Sequence, residues 1–161
     1  MTKREIVNNV HWVGAIDWNR RLFDTLIPLP DGTSYNAYLV EGSEKTALID
    51  AVDPEMVDVL LENLSGVDKI DYVVSQHTEQ DHSGSIPTIL EMYPESILLC
   101  SGKAKSMLIE HVGVPDERIR IVEDGETLSL GDKTFQFINP TWVLLPDLTI
   151  LYIREDQILF T

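Results

Sequence analysis

Gln76-His77-Thr78-Glu79-Gln80-Asp81-His82-Ser83-Gly84 is the stretch on which the reading of this chain turns. Two histidines and two carboxylates lie between His77 and His82. The apolar run Ile70-Asp71-Tyr72-Val73-Val74-Ser75 precedes them and the turn-prone pair Ser83-Gly84 follows. The pattern predicts a strand, a ligand-bearing loop and a helix start, and α/β proteins place ligand loops at the carboxyl ends of their strands. Imidazole nitrogen and carboxylate oxygen suit iron, zinc or manganese. Ligands spaced this closely can serve two ions when alternate side chains point to different sides. A thiolate-rich structural zinc site is excluded, because Cys100 is the only cysteine. The competing reading is a solvated loop in which Asp81 or Ser83 caps the next helix.

Working outward, 161 residues suffice for one domain with a real core, and 43% apolar with 24% charged residues is ordinary for a globular chain. The net charge of −15 is not. Such a surface repels phosphate, which argues against DNA, RNA or anionic membrane as partners and favours solubility or a basic partner. No apolar h-region opens the sequence and no stretch is long enough to span a bilayer, so a cytoplasmic protein is expected. A single cysteine fits a reducing compartment, and Cys100 reads as a small core residue at the end of Ile97-Leu98-Leu99.

Before the loop, strand-like segments alternate with turns from Ile6 onward. Residues 34–40 and 45–50 flank Glu41-Gly42-Ser43-Glu44 as a hairpin. Asp53-Pro54 predicts a helix start, with Met56, Val57, Leu60, Leu61 and Leu64 as its core stripe and Gly66 as its end. After the loop, residues 85–93 read as a helix interrupted by Pro87, 96–100 as a buried strand and 102–112 as an amphipathic helix. This β-α alternation predicts a partly parallel sheet with helices on its face. From Ile119 the chain reads as antiparallel strands, with tight turns at Asp124-Gly125 and Gly131-Asp132. His11 and His111 read as structural, and Leu159-Phe160-Thr161 is an apolar strand where a domain would not be expected to stop.

Residues 33–39, 47–50, 70–74 and 77–84 together resemble the metallo-β-lactamase-like domain of flavodiiron proteins, in its N-terminal portion. The resemblance implies an α/β layered αβ/βα sandwich over residues 1–161, incomplete at its C-terminus and without the family's flavodoxin-like domain. Related hydrolases carry a second His where this chain has Glu79. That carboxylate is a harder, anionic ligand and shifts preference towards iron. By resemblance His77 and Glu79 would bind one iron, Asp81 the other, and His82 would stand beside the second. The implied activity is reduction of O2 to water or of NO to N2O. Electrons would come through FMN on a flavodoxin-like domain or a rubredoxin-type donor, and the assembly would be a homo-oligomer. No catalytic acid can be named.

One departure stands out. The family's His-Trp-Pro-Asp or -Glu segment corresponds to Trp142-Val143-Leu144-Leu145-Pro146-Asp147, with Leu144 where a ligand His is expected and Trp142 and Pro146 shaping the loop. Three readings follow: part of a longer reductase, a degraded metal-binding module without catalysis, or a metallohydrolase, against which Glu79 counts. The isolated chain is expected to aggregate or oligomerise through unpaired strands.

Overall fold

The computed structural model describes residues 3–23, 25–140 and 145–161. In the first part of the chain, strands β1 (Arg4–Val7), β2 (Val10–Trp12), β3 (Ala15–Asp17), β4 (Leu22–Phe23), β5 (Ile27–Pro28), β6 (Thr33–Tyr35), β7 (Tyr38–Glu41) and β8 (Thr46–Ile49) lead to helix α1 (Val57–Asn63). Strand β9 (Tyr72–Val74), helices α2 (Gln80–Ser83) and α3 (Ile86–Met92), strand β10 (Ile97–Cys100) and helix α4 (Gly102–Met107) form the middle. Strands β11 (Ile119–Ile121), β12 (Thr127–Ser129), β13 (Thr134–Ile138), β14 (Ile150–Ile153) and β15 (Ile158–Phe160) complete it. Seven strands pair in the order β1-β2-β7-β8-β9-β10-β11, and four in the order β12-β13-β14-β15.

Strand alternation with both faces apolar generates the layers. Along β7 to β10, Leu39, Leu48, Val73, Leu98 and Cys100 point to one side, where they meet Leu60, Leu64, Ile86, Ile89, Ala104 and Leu108 of the helical layer. Their neighbours Val40, Ala47, Ile49, Val74 and Leu99 point to the other side and meet Phe135, Phe137, Leu151, Ile153 and Phe160 of the smaller sheet. A strand buried on both faces reads as a continuous apolar run, and a two-residue period sorts that run between two cores. The result is helices, large sheet, small sheet. Among the described residues no helix covers the outer face of the small sheet, where Gln136 and Tyr152 are half-buried and Leu159 is exposed.

The predicted hairpin forms as β7 and β8, in register Tyr38↔Ile49 to Glu41↔Thr46. Ser34 and Tyr35 leave it to pair instead with β3. From β8 to β11 the pairing is parallel, so the β-α alternation did imply a parallel half. Two expectations are corrected. Pro87 lies in the first turn of α3 and starts the helix rather than interrupting it, since a first-turn proline sacrifices no helical hydrogen bond. The Asp124-Gly125 turn does not join paired strands; it carries the chain from β11 in the large sheet to β12 in the small one. Residues 102–112 do wind continuously, with a wider π turn over Leu108–Val112 and Gly113 at φ 83° closing the end. Cys100 is buried, and burial pushes its thiol up to about 12, as befits a core residue.

Asp71 pins the start of the parallel half. Its Oδ2 accepts the Thr46 N–H at 2.9 Å while Oδ1 is held by Lys45 and Lys69. Burial alone would raise this carboxyl; the Lys69, Thr46 and Lys45 contacts override it and leave the carboxyl below its ordinary range. A depressed folded pKa means the stabilisation is present above the unfolded value, about 3.9, and is lost as pH falls through the folded value. Thermal melts between neutral and strongly acid pH should therefore show a falling acid limb. Asp71→Asn should lower the neutral melting temperature and shrink its difference from the acid one; an unchanged limb would refute this role.

Candidate metal centre

Val74 ends β9 deep between the two cores, and the next residues turn across the carboxyl edge of the large sheet. Their course is fixed by buried polar groups. Gln76 N–H donates to Asp50 Oδ1 at 2.7 Å, and its side-chain amide donates to the carbonyls of Thr149 and Phe160 at 3.0 and 2.9 Å. Ser75 Oγ donates to His77 O, and Ser83 Oγ donates to Thr78 O and Glu79 O. Helix α2 begins at Gln80, so Glu79 rather than Asp81 or Ser83 stands at the cap position, where it makes no side-chain cap. Gly84 is required at its end, because a Cβ there would stand 2.6 Å from Gln80 O and from Pro54 Cδ.

This turn brings all four expected residues together in two pairs. His77 Nε2 lies 3.4 Å from Glu79 Oε2, and His82 Nε2 lies 3.8 Å from Asp81 Oδ2. The two imidazoles are 5.7 Å apart between centroids and inclined at 70°. His77 is buried and Glu79 exposed, while Asp81 and His82 are half-buried. The far ring nitrogens are held by carboxylates that sequence reading did not single out. His77 Nδ1 is 2.9 Å from Asp147 Oδ2 and His82 Nδ1 is 2.9 Å from Asp50 Oδ2. Asp50 stands at φ 56°, a left-handed conformation that Asp tolerates better than most residues and that occurs where side chains are aimed at a site. The one available signal was position: Asp50 closes the apolar run Ala47-Leu48-Ile49, as His77 follows that of β9.

Burial alone would lower the His82 imidazole, but the hydrogen bond and charge of Asp50, with Asp81 and Glu79 behind it, carry it up to about 9. Asp50, wholly buried, is pushed up by that burial against the pull of His82 and of the Gln76 N–H. A recess of about 110 Å³ opens in front of the carboxylates, lined by Arg20, Phe23, Tyr35, Asp53, Glu79, Gln80 and Asp81. A second groove of about 450 Å³ reaches Asp50, Gln76 and His82 from beside β15. A wider concavity of about 830 Å³, at the β1 edge near Trp12, is lined by none of these groups.

Residues 33–161 match the family model described as ODP family beta lactamase. The chain belongs to that family. This ODP-family chain is 37% identical to the rubredoxin-oxygen oxidoreductase of Megalodesulfovibrio gigas, with 100% of the chain covering 40% of that protein. It is likewise 37% identical to the nitric oxide reductase of Moorella thermoacetica, with 96% covering 39%. Among solved structures, the flavodiiron protein of Giardia intestinalis superposes with TM-score 0.91 at 32% identity, over 99% of this chain and 39% of that one. A metallo-β-lactamase from Cronobacter sakazakii shares the fold, with TM-score 0.75 at 17% identity. The ODP-family chain thus spans about two-fifths of the length of the curated relatives it matches. The layered metallo-β-lactamase-like architecture expected from the sequence is borne out. No described helix is long and apolar enough to cross a membrane. Leu144 and Trp142 lie outside the described residues; Pro146 lines a recess with Ser101, Lys103 and Asn139.

His82 carries a raised pKa, so its bond to Asp50 stabilises the fold at pH below about 6.5 and is lost as pH rises through about 9. In the metal-free protein, an NMR titration should find the His82 ring titrating near 9, well above the ordinary imidazole value. Asp50→Asn should bring that ring back down; a ring that titrates normally in the unsubstituted chain would refute the pair.

Proposed function

We propose that this domain carries the metal-binding face of a flavodiiron-type reductase, one that takes O2 to water or NO to N2O with electrons from a flavin. The observation behind the reading is His77 Nε2: buried, without a hydrogen-bond partner, and turned towards Glu79. An orphaned buried nitrogen is costly unless something fills it. The neighbouring His82–Asp81 pair has the same construction. The donor set fits iron in kind, imidazole with carboxylate and no thiolate. It fits in pairing rather than in number, since among the described residues no group of three or more donors is already placed around one point. His77 and Glu79 would hold one iron and Asp81 the other, with His82 beside it.

An iron pair supplies one-electron steps and a place for two oxygen or two nitrogen atoms to meet. What this chain contributes is geometry and charge. Glu79 and Asp81 bring negative charge to an oxidised pair, and the two histidines bring ring nitrogens held from behind by Asp147 and Asp50. Phe23 and Tyr35 narrow the recess in front and limit water there. The Tyr35 phenol, pushed up to about 12 by burial and then by Asp53, stays protonated and points its OH towards Asp17 Oδ2 at 3.4 Å.

On this reading residues 1–161 are the N-terminal portion of a cytoplasmic metallo-β-lactamase-like domain, and FMN resides on a flavodoxin-like domain outside it. The names of two relatives pair oxygen with rubredoxin and an oxidase with coenzyme F420H(2); for this protein a rubredoxin-type donor is the partner class we propose. Exposed Trp18, Leu22, Leu26 and Ile27 near the recess support a homo-oligomer. A metal-binding module without catalysis is the second reading, favoured by Leu144 in the place of a ligand histidine.

Anaerobic Fe(II) titration followed by Mössbauer spectroscopy separates the two. We expect uptake of a spin-coupled pair, lost in His77→Ala, and tightened at least about tenfold by Leu144→His, the scale on which even supporting residues act. Uptake of one uncoupled iron or none, unimproved by Leu144→His, would replace the reductase by the module.

A further inference from the structure

Asp147 lies 70 residues beyond His77 in sequence and is buried against it. Its Oδ2 accepts from three donors: the His77 ring at 2.9 Å, the Thr78 N–H at 2.9 Å and the Thr78 hydroxyl at 2.6 Å. Its own backbone is fixed as well. Ser101 Oγ, which caps α4 by accepting from Ala104 N–H, donates to Asp147 O at 2.9 Å, and two residues later Thr149 N–H donates to Gln76 O at 2.8 Å. The carboxylate therefore cannot swing away without breaking contacts to β10's exit, to β14's entry and to the loop itself.

A carboxylate engaged by two other donors can only accept from an imidazole. Nδ1 must then carry the ring hydrogen, and Nε2 keeps the lone pair. That agrees with the finding that Nε2 is buried with no partner. We infer that Asp147 is the positioning residue of His77, selecting the tautomer and the ring direction that leave Nε2 open towards Glu79, and that Thr78 clamps it there. The inference rests on the reading of His77 as a ligand given above. The double use of Thr78 distinguishes this carboxylate from Asp50. Asp50 holds His82 by one contact and spends its other oxygen on Gln76 N–H, whereas Asp147 gathers ring, amide and hydroxyl on a single oxygen. Three donors on one oxygen leave it little room to rotate, so the ring direction is set more firmly at His77 than at His82.

The experiment uses the metal-free full chain with ¹⁵N-labelled histidine rings, followed from neutral to alkaline pH until the His77 signals stop moving, and then Co(II) titration. In the unsubstituted protein the His77 ring should show a protonated Nδ1 and a bare Nε2. Asp147→Asn replaces the charged acceptor by an amide of the same shape. It should give a mixture of tautomers and weaken Co(II) binding by about tenfold to a hundredfold. Thr78→Val removes the hydroxyl donor but leaves the carboxylate on the ring, and should keep the tautomer. An unchanged tautomer in Asp147→Asn overturns the inference, as does equal scrambling in Thr78→Val; Asp147 would then be a staple for the loop. The expected tautomer in a protein that takes up no Co(II) would uphold Asp147's role and sink the metal reading instead.

Discussion

Gln76 is the residue on which the two sheets and the metal loop jointly depend. It follows the last residues of the loop-bearing strand, where a chain leaving a doubly covered sheet must satisfy its polar groups without water. Its backbone N–H is taken by Asp50 and its carbonyl by Thr149, while its side-chain amide spans to the carbonyls of Thr149 and Phe160. One side chain thus ties the end of β9 to β14 and β15, which belong to the other sheet. The inter-sheet core of Phe135, Phe137 and Leu151 holds the layers face to face by burial, but burial is non-directional and would allow them to slide. The directional bonds of Gln76 set where the edge of one sheet stands against the other, and His77 is the very next residue.

From that anchor the site is built by a repeated device. Each imidazole is gripped at Nδ1 by a buried carboxylate brought from a distant segment, and each presents Nε2 to a carboxylate from its own short loop. Asp50 comes from the end of β8 and Asp147 from the approach to β14, so both supports belong to the rigid layers. Glu79 and Asp81, by contrast, ride on the loop and on the first turn of α2. The donors most able to adjust are the exposed carboxylates, and the donors least able to adjust are the imidazoles. Such a division suits ions whose charge changes, because carboxylates can move and imidazoles set direction.

Legibility from sequence divides along the same line. Local patterns were readable: the apolar alternation of β7 to β10, the Asp53-Pro54 helix start, and the clustered His77, Glu79, Asp81 and His82. What was not readable depends on contacts far apart in the chain. Asp147 to His77 spans 70 residues and Gln76 to Phe160 spans 84. No spacing rule encodes them, since an isolated Asp before a strand has many uses. Pro87 was misread for a different reason. Counted from residue 85 or from Ile86 it falls in the first helical turn, where the missing N–H has no intrahelical partner to lose. Asp124-Gly125 was assigned correctly as a turn, but a turn says nothing about whether the strands it joins belong to one sheet.

The charges around the loop bear on the cation site proposed above. Glu79, Asp81 and Asp53 line one recess, and the guanidinium there, Arg20, is 4.0 Å from Asp53 and 3.7 Å from Glu55, at the outer limit of an ion pair. Asp50 and Asp147 hold the two imidazoles from behind, and Glu79 and Asp81 face the same rings at 3.4 and 3.8 Å on a chain of net charge −15. On an ordinary surface such carboxylates would splay into solvent. Here the Ser83 bonds to Thr78 O and Glu79 O and the Ala51 N–H bond to His82 O fix the backbone that carries them. On the proposed reading, that fixed backbone serves a cation held between the carboxylates and the open Nε2 of His77.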